Sequence, residues 1–184
     1  MSGARATRAL VPHPDHPARA LRRLSADVTR APEALAVAYT LEGDLDALRI
    51  PAPAAPAIVH GLWEHTCFEL FIAADGAAAY HELNLAPSGA WAAFEFRGYR
   101  DGGPVEDETL APRIAVRRGP DRLLLEASVP LARVAPAYAG ARLRLALTAV
   151  VEDVRGGRSY WALRHPPGRP DFHHRDGFAL VLET

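Results

Sequence analysis

The stretch Thr66–Tyr99, TCFELFIAADGAAAYHELNLAPSGAWAAFEFRGY, decides the fold class. Its opening residues are mostly β-branched, aromatic or aliphatic apart from Glu69, in a run too short and too closely flanked by glycine and proline for a helix. Side chains alternate faces along a strand, which sends Thr66, Phe68, Leu70 and Ile72 into a core and His65, Cys67, Glu69 and Phe71 to the opposite face. Asp75-Gly76 and Pro87-Ser88-Gly89 are turn signals, so the spacing predicts an antiparallel meander of strands 66–74, 79–86 and 90–99. With the polar residues of all three strands in phase, one face carries Glu69, Tyr80, Glu82, Asn84, Trp91, Glu95 and Arg97. The other carries Phe68, Leu70, Leu83, Phe94 and Phe96. Such a sheet is half core and half binding surface.

Outward from the meander, 16 prolines and 14 glycines cut the chain into short segments without a long helical period. Further strands are predicted over 6–11, 20–29, 34–42, 113–118, 122–129, 142–154, 158–164 and 177–183. That makes about 10–11 strands, the pattern of an all-β antiparallel sandwich. Pro130–Gly140 is predicted to hold a single helical turn, and Arg155-Gly156-Gly157 to close a hairpin. The proline-rich PAPAAPA after Ile50 reads as a surface connection. The run Arg100–Asp107 and the pair Arg117-Arg118 read as solvated turns.

Composition narrows the function classes. The 184 residues are enough for one domain with a substantial core, and no linker divides them, so 1–184 is read as a single domain. A formal charge of -1 leaves no footprint for nucleic acid. No apolar signal segment and no run long enough to span a membrane occurs, so the expected location is cytoplasmic. With one cysteine there is no internal disulfide. All 21 basic residues are arginine, lysine and glutamine are absent, and Asn84 is the sole asparagine.

The polar residues of the meander leave three chemistries open. Aromatic rings beside carboxylates, an amide and a guanidinium suit a sugar, whose C–H patches pack on ring faces while its hydroxyls need donors and acceptors. His65, Cys67 and Glu69 share a strand face at metal-ligand spacing, with His173 or His174 to complete a set; the structural reading makes Cys67 a buried packing residue. Glu69 and Glu82 on neighbouring strands could form the carboxylate pair of a hydrolase, although neither GxSxG nor HExxH is present.

The series LWEHTCFELFIA, YHELNLAPSGAWAAFEFRGYR and SYWALRHPPGRPDFHHRDGFALVLE resembles bacterial DOMON-like proteins related to family 9 carbohydrate-binding modules. PHPDHP near the start and GDLDALRIP extend the likeness over most of the chain. Its most specific pieces are Trp63 with Glu69 six residues on, the E-x-N-x-x-P-S-G block at Glu82–Gly89, and the closing PDFHH with GF. The resemblance implies a β-sandwich of jelly-roll or immunoglobulin-like character that binds the end of a sugar chain between two aromatic rings without catalysing a reaction. Trp63 matches one ring. The other falls on Phe172, flanked by Asp171 and His173. Glu69, Glu82, Asn84, Arg97 and His173 are the expected polar contacts. DOMON relatives also bind haem, which here leaves only a bis-histidine pair such as His65 with His173 or His165, since internal methionine and lysine are absent. An intracellular haem protein or small hydrolase using Glu69, His65 and His173 is thus the alternative reading. Family 9 relatives leave room for a structural calcium, but no acidic loop marks its site. The expectation is therefore no cofactor, a sugar or sugar-like small molecule as partner, and neither nucleic acid nor membrane.

Overall fold

The computed structural model describes residues 5–31 and 33–183. Among them the first strands are β1 (Arg5–Pro12), β2 (Leu21–Arg30), β3 (Ala34–Gly43), β4 (Cys67–Ala74), β5 (Tyr80–Leu85) and β6 (Trp91–Gly98). Then come β7 (Asp101–Pro104), β8 (Arg113–Arg118), β9 (Arg122–Pro130), the one-turn helix α1 (Leu131–Val134), β10 (Leu143–Glu152), β11 (Arg158–Ala162) and β12 (Leu180–Leu182). The strand ladders are antiparallel and follow the order β7-β6-β5-β4-β10-β11-β1-β2-β3-β9-β8, with β12 also on β10. The chain is an all-β sandwich, as the turn spacing predicts.

The order folds into two layers because β1 serves both. Its residues Arg5–Leu10 pair with β2, whereas Val11 and Pro12 pair with Ala162 and Trp161 of β11. One layer holds β1, β2, β3, β9 and β8. The other runs from β7 to β11. Between them lies a core of Leu24, Val28, Leu35, Val37, Leu41, Leu125 and Val129 against Phe68, Leu70, Ile72, Leu83, Leu85, Leu145 and Leu147. The strict alternation along β9 puts Leu123, Leu125, Ala127 and Val129 inside. Tyr39 crosses the core and donates its hydroxyl proton to the Glu69 carbonyl, 2.7 Å away. Arg30, buried at the sandwich end, donates to the carbonyls of Tyr138, Ala139, Ala141 and Glu183, so its charge is met by four acceptors.

The strand β4 is buried on both faces, unlike β9. Phe68, Leu70 and Ile72 face the sandwich core, while Phe71 and Ala73 join Tyr80, Phe94, Phe96, Ala146 and Phe178 in a second apolar cluster on the outer face. The segment after β11 lies over that outer face and explains the second burial. It also trims the predicted last strand, because Arg175–Gly177 forms a 3-10 turn and strand pairing begins only at Leu180. Among the described residues no helix is long and apolar enough to cross a membrane.

Two sequence expectations are corrected here. The run Arg100–Asp107, read as a solvated turn, contains β7, which extends the sheet by pairing with Phe94–Gly98. Gly102 permits this, because a Cβ there would lie 1.9 Å from the Glu95 carbonyl oxygen. The phase of β6 is the second. Leu85 pairs with Trp91, Glu82 with Phe94 and Tyr80 with Phe96, so Phe94 and Phe96 share the Glu82 face, and Trp91, Glu95 and Arg97 take the other. The connection Ala86–Ala90 holds an odd number of residues and sets even positions opposite even ones. A shift of one residue inverts every side chain of a strand.

Candidate functional site

The outer face of β4, β5, β6, β10 and β11 carries a cleft of about 460 Å³, a volume suited to a small ligand. Register places its base. Glu69 on β4 stands opposite Asn84 on β5 and Thr148 on β10, and Glu82 stands opposite Phe71 and Phe94. Phe94, Phe96, Val150, Arg158 and Tyr160 line the cleft from their strands. Its walls are Trp63, in the 3-10 turn Leu62–Glu64, then Gly102–Pro104 of β7, and Pro170, Phe172 and His173 of the segment after β11.

Both carboxylates are nearly sealed, Glu69 being 3% and Glu82 6% exposed, yet both reach the cleft. Glu69 accepts a hydrogen bond from Thr148 Oγ1 at 3.2 Å, and Glu82 from Asn84 Nδ2 at 3.0 Å. Burial holds the Glu69 carboxyl well above the usual carboxylate range, and the neighbouring charge of Glu82 adds to the effect. Burial pushes Glu82 up to about 7, opposed by its bond from Asn84 and by Arg100. The two groups titrate as a pair that keeps a proton well above the ordinary carboxylate range.

A hydrogen-bonded chain holds the wall against this base. The backbone N–H of Arg100 donates to Tyr80 Oη at 3.1 Å, and Tyr80 Oη lies 2.8 Å from His173 Nδ1. The other ring nitrogen, His173 Nε2, lies 3.7 Å from Glu82 Oε2. Burial, reinforced by the charge of Arg100, lowers His173 to about 4, so the ring is neutral near pH 7. Asp171 ties the same segment to the meander by accepting from Arg100 at 2.8 Å and from Tyr99 Oη at 2.7 Å. Arg100 has φ 54°, and this left-handed turn brings its guanidinium back over the cleft.

Aromatic rings dominate the remainder. Phe96 stacks on Tyr80 at 4.8 Å, Trp63 meets Phe94 edge-on at 5.7 Å, and Phe172 lies 6.1 Å from Tyr160. Trp63 stays 41% exposed, with ring surface available to a ligand.

Of the residues singled out from the sequence, Trp63, Glu69, Glu82, Phe172 and His173 line this one cleft. Asn84 is fully buried beneath it, bonded to Glu82. Arg97 is not brought in: it lies on the opposite face of β6, exposed and paired with Asp101 at 2.9 Å. Phe94 and Phe96, which the sequence reading assigned to the core face, line the cleft, as do Arg100, Arg158 and Tyr160, for which it gave no role in the site. Only the odd length of the β5–β6 connection could have signalled the two phenylalanines. Trp161 packs in the sandwich core, and Trp91 in a small cluster with Ala93 and Leu110.

The residues named for the metal and haem alternatives have partners of their own. His65 Nδ1 sits 2.8 Å from Glu152 Oε2, the Oε1 of the same carboxylate pairs with Arg49, and Cys67 is fully buried with its thiol pushed up by burial. His65 therefore has a partner outside the cleft, while His173 belongs to Tyr80. Among the described residues no group of three or more His, Cys, Asp or Glu is placed to hold a metal ion.

No protein-family model and no curated protein sequence matches the chain. Among solved structures, a protein from Bacteroides uniformis, provisionally assigned as carbohydrate-binding, superposes with a TM-score of 0.72 at 15% identity, over 94% of this chain and 83% of its own. A family 9 carbohydrate-binding module from Caldicellulosiruptor kristjanssonii, solved with cellotriose, superposes with a TM-score of 0.52 at 12% identity, over 79% of this chain and 67% of the module. The chain has the family 9 module fold. At such identities the family 9 likeness lies in the sandwich, and the side chains of the cleft must speak for themselves.

Proposed function

We propose that this family 9-type sandwich binds a carbohydrate, without catalysis, in the cleft bounded by Trp63, Phe94, Phe96, Phe172 and the buried pair Glu69 and Glu82. The observation that supports it is the combination of the exposed Trp63 ring and further lining aromatic rings with nearly sealed polar groups in one cleft of saccharide size. Ring faces accept the C–H patches of a pyranose, and the carboxylates accept its hydroxyl protons. Arg158 supplies donors at the rim. The sequence resemblance to DOMON-like proteins and the fold shared with a module solved with cellotriose favour the same reading.

Calorimetric titration of wild type and Trp63→Ala against a panel of mono- and oligosaccharides tests it. Loss of one stacking ring removes about 1–2 kcal/mol, a weakening of about 5- to 30-fold. Because Trp63 is substantially exposed, the variant should unfold at the wild-type denaturant midpoint. Equal affinities for both proteins, or no binding to any saccharide, would overturn the proposal.

A further inference from the structure

The base of the cleft holds more hydrogen-bond acceptors than donors. Glu69 accepts one bond, from Thr148, and Glu82 one, from Asn84, with His173 Nε2 a further 3.7 Å contact. Each carboxylate offers about four lone-pair sites, so most of this capacity is unmatched. Asn84 stands opposite Glu69 in the β4–β5 register and two residues from Glu82, and its Oδ1 is buried without a hydrogen-bond partner. Among the described residues neither carboxylate forms an ion pair with an arginine; the Arg100 guanidinium is committed to Asp171 and Tyr99. Around these acceptors stand Trp63, Phe94, Phe96, Tyr160 and Phe172, whose ring faces carry negative potential. A cleft with two nearly sealed carboxylates at its base and an aromatic wall is built for positive charge.

We propose that the saccharide taken by this cleft is a free hexosamine, seated with its ammonium group against Glu69 and Glu82 and its ring against Trp63 and the phenylalanines. An ammonium brings three N–H donors and no acceptor to a base rich in acceptors, and its charge relieves the repulsion between the carboxylates. A hydroxyl brings one donor together with further lone pairs and no charge to replace the proton that the pair retains. Burial and mutual repulsion make the pair retain a proton, and the ammonium takes over the role of that proton. N-acetylation removes both the charge and two of the donors, which makes it the natural control. The inference deepens the carbohydrate reading above and rests on it.

Calorimetric titration of the full chain at pH 7 with glucosamine, glucose and N-acetylglucosamine tests it, with Glu82→Gln as the variant. Wild type should bind glucosamine about tenfold more tightly than glucose or N-acetylglucosamine, and Glu82→Gln should reduce that preference to below about threefold. If wild type binds glucose as tightly as glucosamine, the ammonium site is refuted while the sugar reading stands. If a preference for glucosamine survives undiminished in a folded Glu82→Gln protein, the seat assigned to the ammonium is refuted. If no saccharide binds, both the inference and the reading beneath it fall.

Discussion

Replacing Glu82 by glutamine should make the protein more stable at alkaline pH, and the size of the gain follows from where the residue sits. Its carboxyl is almost sealed, accepts one hydrogen bond and is pushed by burial from 4.5 to about 7. Each pKa unit corresponds to about 1.4 kcal/mol, so the folded state is destabilised by about 3 kcal/mol once the group is ionised. A raised folded pKa means that the native state binds more protons than the unfolded chain between the two values. Stability is therefore complete below about pH 4.5, falls as the pH rises towards 7, and is flat above that. Glutamine has nearly the same shape and its carbonyl can keep the bond from Asn84, but it has no charge to bury. Urea unfolding at half-unit steps from pH 5 to pH 8.5 reads the difference directly. The wild-type free energy should decline across this range by about 3 kcal/mol more than that of Glu82→Gln, leaving the variant the more stable protein at pH 8.5. Parallel curves, or a variant less stable throughout, would refute the argument that Glu82 is a charge held against its own preference. Carboxylates retained at such a cost are a mark of a functional site.

Two other changes probe how the cleft is assembled. Tyr80→Phe keeps the ring stacked on Phe96 but removes the hydroxyl linking the Arg100 N–H to His173; it should lower unfolding free energy by about 1–3 kcal/mol and speed hydrogen exchange at the Arg100 amide. Gly102→Ala forces a Cβ onto the Glu95 carbonyl, so β7 must lift from β6; a loss of about 1–3 kcal/mol is expected in urea unfolding, with early exchange of the β6–β7 amides.

What the sequence determined by itself is local. The alternation along Thr66–Ile72 placed Phe68, Leu70 and Ile72 in the core, because strand geometry leaves side chains only two directions. The same alternation, with the turn at Asp75-Gly76, put Glu69, Glu82 and Asn84 on one face, and the motif likeness pointed to Trp63 and Phe172. What only the tertiary structure decided depends on pairing. The five-residue connection Ala86–Ala90 chose the phase of β6, turning Phe94 and Phe96 to the cleft and Arg97 to solvent. Arg100 joined the cleft because β7 folds back on β6, an event that composition read as a solvated turn. His65 found its partner in Glu152, 87 residues away, and His173 found Tyr80 at a separation of 93. Sequence periodicity reports on neighbours a few residues apart, whereas these contacts exist only after two sheets have closed and a distant segment has crossed one of them.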